Sequence, residues 1–95
     1  MKKEIYLTIL FDYYEKLLLD KDQEVFKDYY FSNLSLQEIA ENKNISRNAV
    51  HKRLKKIEEE LIHYEEKLKL YEKEQKIMEL IKDKNLQNKI KEILN

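Results

Sequence analysis

The apolar positions of this chain recur at helical spacing from one end to the other. Over residues 4–19, Leu7, Leu10, Phe11, Tyr14, Leu17 and Leu18 follow intervals of three and four, while Asp12, Glu15 and Lys16 fall off the stripe; this predicts an amphipathic helix. Asp20-Lys21-Asp22 interrupts the pattern, and either aspartate is a candidate N-cap for a second helix that runs to about Phe31 and buries Val25, Phe26, Tyr29 and Tyr30. Ser32-Asn33 ends it. From residue 34 to 54, Leu36, Ile39, Ala40, Ile45, Val50 and Leu54 lie on two short helical stripes separated by Asn42-Lys43-Asn44. Val50, Leu54, Ile57, Leu61, Tyr64, Leu68 and Tyr71 are then spaced 4, 3, 4, 3, 4, 3, a heptad seam with no Gly, Pro or cap signal to break it. One continuous helix from about Arg47 to Tyr71 is expected, its exposed side supported by Glu65–Lys69 and Glu72–Lys76 pairs four residues apart. Ile77, Met78, Leu80 and Ile81 make a further apolar face, Asp83-Lys84-Asn85 a turn, and Leu86, Ile90, Ile93 and Leu94 a last short helix.

The stretch from Leu34 to Leu54 carries the most specific local chemistry. Ser35 and Glu38 have capping-box spacing at the start of its first helix, and Ser46 stands before the second. Asn tolerates the left-handed backbone that a tight turn requires. The small Ala40 lets two crossing helices approach closely. Together these features predict a helix-turn-helix, the unit that lays its second helix in the DNA major groove.

Composition supports an all-α fold. The chain has 42% hydrophobic and 40% charged residues, with no Gly, Pro or Cys. Such a charge fraction suits long solvated helices. All-β folds and phosphate-binding loops depend on Gly, so a dinucleotide or P-loop enzyme is disfavoured, and disulfides, thiolate metal sites and a cysteine nucleophile are excluded. No apolar run reaches membrane-spanning length and Ile5–Phe11 is too short for a signal core, so a cytoplasmic protein is expected. Net charge is zero, yet residues 43–56 hold Lys43, Arg47, Lys52, Arg53, Lys55 and Lys56 and no acid. That basic segment coincides with the turn and second helix of the pair, where a local positive field attracts phosphate.

With Ala49, Val50, Leu54 and Ile57 turned inward, Arg47, Asn48, His51 and Lys52 are left to read base edges, Arg suiting guanine and Asn adenine. Ser35, Gln37, Ser46, Arg53, Lys55 and Lys56 are the expected phosphate contacts. The competing explanation is a merely solvated basic face. His51 and His63 lie twelve residues apart, about 18 Å along a helix and too far to share one metal. Glu58-Glu59-Glu60 and Glu65-Glu66 read as a solvated face, not as catalytic carboxylates, and nothing calls for a cofactor. The aromatics Tyr14, Phe26, Tyr29 and Tyr30 fall on helix stripes and are read as core; Tyr64 and Tyr71 are open to either a monomer core or a dimer seam.

Leu10-Phe11-Asp12-Tyr13-Tyr14, Tyr29-Tyr30, Ser35-Leu36-x-Glu38-Ile39-Ala40-Glu41, Ser46-Arg47-x-Ala49-Val50 and Tyr64-Glu65-x-Lys67-Leu68 together resemble the YlxM-like helix-turn-helix proteins of Gram-positive bacteria and mycoplasmas. The resemblance spans about residues 5–72. It implies an all-helical protein with a head similar to sigma-factor region 4, inferred DNA binding, and a regulatory or accessory part in the signal recognition particle pathway; it brings no catalytic residues. His51-Lys52 departs from the aromatic and acid expected there and adds local positive charge. The expectation is therefore a single helical domain, with a head over 4–57 and a stalk with C-terminal helices over 58–95. It is non-enzymatic, binds double-stranded DNA and is homodimeric through the long helix and C-terminal helices. The rival readings are a protein-interaction adaptor and a binder of structured RNA.

Overall fold

The computed structural model describes residues 1–94 and is helical throughout: α1 (Lys3–Tyr14), a 3-10 turn (Glu15–Leu17), α2 (Asp20–Tyr30), α3 (Leu36–Lys43), α4 (Arg47–Leu68), α5 (Leu70–Leu80) and α6 (Lys84–Leu94). The described residues contain no strand. One core holds the first four helices together. Leu7, Leu10, Phe11 and Tyr14 of α1, Val25 and Phe26 of α2, Ile39 and Ala40 of α3, and Val50, Leu54, Ile57 and Leu61 of α4 are all buried in it. Phe11 stacks on Phe26 with ring centroids 4.3 Å apart, and Phe26 on Tyr30 at 4.4 Å. Such pairs contribute about 0.5–1.5 kcal/mol beyond their buried area.

The first helix is shorter than its apolar stripe suggests. It ends at Tyr14, and the 3-10 turn that follows rotates Leu17 out to solvent while Leu18 enters the core. The second helix starts at Asp20, with Leu19 in the cap position. Neither Asp20 nor Asp22 caps it. Asp22 lies in the first turn and is buried, facing α4. Tyr29, expected in the core, is exposed, and Tyr30 is half-buried.

The largest departure is at Lys69. The expected continuous helix from Arg47 to Tyr71 stops at Leu68, and α5 sets off in a new direction from a left-handed Lys69 (φ 55°, ψ 34°). The heptad seam carries no local stop signal; the break comes from tertiary contacts. Glu65, expected on an exposed face beside Lys69, is 7% exposed. Its carboxylate accepts the Tyr14 hydroxyl, the Tyr71 N–H at 3.2 Å and the Glu72 N–H at 3.0 Å. The Tyr14 oxygen in turn accepts the Leu70 N–H at 3.1 Å. The first N–H groups of α5, which no intrahelical carbonyl can satisfy, are thus capped by a side chain from the previous helix and one from α1. A carboxylate at a helix N-terminus also sits favourably in the dipole. Before the bend, Tyr64 packs on Tyr14 at 5.9 Å; beyond it, Tyr71 meets Tyr6 at 5.9 Å and Tyr13 at 6.1 Å, both edge-on. Both tyrosines therefore pack within the chain. The Glu72–Lys76 pair forms as expected, at 3.2 Å.

A non-glycine residue in the left-handed region costs roughly 1–2 kcal/mol. Lys69→Gly is accordingly expected to stabilise the protein by about 0.5–1 kcal/mol, after the extra unfolded-state entropy of glycine is deducted. Lys69→Val is expected to destabilise it by more than that. Urea denaturation of the two variants checks both; a stabilising Val would mean that the chain prefers the straight helix.

Candidate nucleic-acid interface

The geometry of the helix-turn-helix follows from its caps. Ser35 Oγ accepts the Glu38 N–H at 3.0 Å while Glu38 Oε1 accepts the Ser35 N–H at 3.0 Å, a complete capping box. The Ser35 backbone N–H, and after it the Ser35 side chain, hold the Glu38 carboxyl below its usual range. The turn is closed by Asn44 in the left-handed conformation (φ 57°), with the Ile45 N–H reaching back to the Ala40 carbonyl at 3.0 Å. This is the Schellman arrangement, with Asn where glycine is commonest. Ser46 Oγ then accepts the Ala49 N–H at 3.1 Å and starts α4. Across the turn, Ile39 and Ala40 of α3 are buried together with Val50 and Leu54 of α4.

That packing leaves one side of α4 open. Arg47, Asn48, His51, Lys52 and Lys55 are all exposed, and the first turn of α4 contains no acid. Arg47, Lys52 and Lys55 enter no ion pair among the described residues. The N-terminus of a 22-residue helix, about 33 Å long, adds its own partial positive charge at the same place. Ser35 and Ser46 are both exposed, each hydroxyl oxygen engaged in capping. Gln37 is exposed on the first turn of α3, its amide donating to Glu41 at 3.1 Å.

The basic segment is not uniformly available. Lys43 is bound by Glu24, whose carboxyl is lowered by the hydrogen bond and charge of that lysine. Arg53 and Lys56 both lean towards Asp22, each at 3.8 Å from one of its oxygens, and Asp22 is 2% exposed. Position at a helix start makes either Asp20 or Asp22 a cap candidate; the partners of Asp22 lie more than thirty residues away, and only the packing of α2 on α4 brings them together. Asp22→Asn is therefore expected to release Arg53 and to loosen Lys56, which keeps Glu60 as a partner. Affinity for non-specific duplex should rise, and the slope of log K against log salt should steepen by up to about two. A salt titration by fluorescence anisotropy checks this, an unchanged slope showing that Asp22 does not restrain them.

His51 and Lys55 also border a cleft of about 410 Å³ between α1, α2, α4 and the start of α3, whose walls include Leu7, Tyr30, Leu36 and Glu58. Glu58 accepts the Tyr30 hydroxyl at 2.7 Å and pairs with Lys3 at 3.8 Å. Of the glutamates grouped in the sequence, Glu58 and Glu65 thus serve packing, and Glu60 pairs with Lys56 at 3.5 Å. His63 is exposed beside Tyr64 and away from this surface. Among the described residues, no helix is long and apolar enough to cross a membrane.

A capped short helix, a left-handed turn and a longer helix with an open basic face define a helix-turn-helix protein. The model of the YlxM/p13-like helix-turn-helix family, UPF0122, matches residues 1–95, and the chain belongs to that family. It is 43% identical over 89 residues to a UPF0122 protein of Malacoplasma penetrans, covering 90% of this chain and 83% of that protein. A UPF0122 protein of Caldanaerobacter subterraneus subsp. tengcongensis is 46% identical over 77 residues, covering 81% and 66% respectively. One from Ureaplasma parvum is 43% identical over 94 residues, covering 96% and 95%.

Proposed function

We propose that this chain is a double-stranded-DNA-binding protein of the bacterial cytoplasm, a binding protein and not an enzyme. Arg47, Asn48, His51 and Lys52 reach base edges in the major groove. Ser35, Gln37, Ser46 and Lys55 hold the flanking phosphates. Arg53 reaches phosphate by giving up Asp22 for it, and Lys56 by giving up Asp22 and Glu60. The observation that carries this reading is the acid-free, unpaired basic face on the first turns of α4. Helix-turn-helix heads commonly read two half-sites as a pair. We read this chain as a homodimer too, with the C-terminal helices joining the copies because the seam of α4 is covered within the chain. We read its role as regulatory or accessory, in transcription and in the signal recognition particle pathway.

Anisotropy titrations of labelled duplex DNA over a range of salt, with structured RNA as competitor, test the central claim. Duplex binding is expected to weaken with salt at a log–log slope of about −3 or steeper, one increment of about −0.9 for each phosphate neutralised. Binding to no duplex at low salt would favour the adaptor reading, and displacement of DNA by equimolar structured RNA would favour RNA as the target.

A further inference from the structure

Helix α6 is well formed but barely covered. Asp83 Oδ1 caps it by accepting the Asn85 and Leu86 N–H groups at 2.8 and 3.3 Å, and Gln87 ties it to the end of α5 by donating to the Met78 and Ile81 carbonyls. Yet none of its side chains is buried. Leu86, Ile90, Ile93 and Leu94 form a single stripe, with Ile93 82% exposed and Leu80, just before the helix, 85% exposed. An eleven-residue helix is marginal alone in water and depends on packing of its apolar face. Lys89 and Lys91 border the stripe on either side, and with Lys84 they outnumber the one acid of the helix, Glu92.

At the bend between α4 and α5 the chain presents the complementary surface. A groove of about 720 Å³ is lined by Tyr6 and Tyr71 with Glu65, Glu66, Glu72 and Glu79, against Lys69 and Lys76. No residue of α6 lines it. Its floor is aromatic and its rim carries an acidic excess. The Tyr6 hydroxyl registers that field, its pKa being raised first by burial and then by Glu65, Tyr71, Glu66 and Glu72.

We propose that the basic amphipathic helix α6 of one copy docks in this acidic, tyrosine-floored groove of a second copy, and the second copy's α6 in the groove of the first. The exchange is isologous and closes at two chains. It rests on the reading of the protein as a pair and specifies which surfaces meet. Leucine and isoleucine side chains left open in the single chain cover Tyr6 and Tyr71, and Lys89 and Lys91 meet Glu66 and Glu79.

Sedimentation equilibrium across micromolar concentrations tests the proposal. Ile93→Asp is expected to weaken dimerisation at least tenfold with the helical circular-dichroism spectrum unchanged, since Ile93 contributes little to the single chain. Glu66→Lys/Glu79→Lys is expected to weaken it comparably, and adding Lys89→Glu/Lys91→Glu to restore it. A wild-type chain that is monomeric at tens of micromolar overturns both the pair and its docking. A dimer that is indifferent to Ile93→Asp, or a charge reversal that does not rescue, overturns the docking alone.

Discussion

Replacing Arg47 and Lys52 together with alanine is expected to weaken duplex binding by roughly thirtyfold at modest salt, with thermal stability almost unchanged. A bidentate base contact is worth about 1–3 kcal/mol, and every lost phosphate contact also removes about 0.9 from the salt slope. A combined loss of about 2 kcal/mol corresponds to that factor. Both side chains are exposed and neither has an ion-pair partner among the described residues, so the folded state loses little. Arg47 stands at the positive end of the α4 dipole, and its removal is, if anything, slightly stabilising. Lys73→Ala, on the exposed side of α5, is the matched control and should bind as wild type. Equal affinities for the double variant and wild type would remove the basis for a DNA-reading α4.

Glu65→Ala is expected to be the most destabilising single change outside the apolar core, at about 3 kcal/mol. It leaves the Tyr71 and Glu72 N–H groups and the Tyr14 hydroxyl without their shared acceptor. Hydrogen bonds to a charged group contribute about 1.5–3 kcal/mol, and unsatisfied donors add their desolvation cost. For a chain of this size such a loss lowers Tm by about 12 °C or more. Tyr14→Phe removes one donor and one acceptor and should cost about 1–2 kcal/mol. Differential scanning calorimetry separates these from a surface change of a few tenths. The same clamp has an alkaline signature. Burial, reinforced by the bond to Glu65, pushes the Tyr14 hydroxyl up to about 12 from an ordinary value of 10. The folded protein keeps that proton where the unfolded chain has lost it. The contribution is thus complete below pH 10 and disappears as pH climbs towards 12. Tyr14→Phe should flatten that limb in part, because Tyr30, raised by burial and by its bond to Glu58, loses stability in the same direction.

What was legible in the sequence was whatever is decided by neighbours in the chain. Ser35 and Glu38 are three residues apart, as are Ser46 and Ala49, and Asn44 needs only its own backbone preference; each has the role its type suggests. The exposed set Arg47, Asn48, His51 and Lys52 also follows from helical periodicity alone. The misreadings have a common physical origin. Lys69 has no intrinsic reason to leave the helix, and the groups that make it do so include Tyr14, 51 residues from its acceptor Glu65. Asp22 has the spacing of a cap and the environment of a buried counter-ion. In a chain rich in charge, periodicity shows which positions could be buried; packing decides which carboxylates are among them.

The cap on α5 also sets an order of events in the folded protein. The N–H groups of Tyr71 and Glu72 are held by Glu65, an acceptor outside their own helix, so they can exchange with solvent only when the clamp opens. Helices α5 and α6 contribute no apolar side chain to the buried core. They are therefore expected to form a cooperative unit of lower stability than the head. Native-state hydrogen exchange should find the amides of 71 and 72 opening together, at a free energy below that of global unfolding, while those around Val50, Leu54 and Ile57 exchange only when the whole chain unfolds.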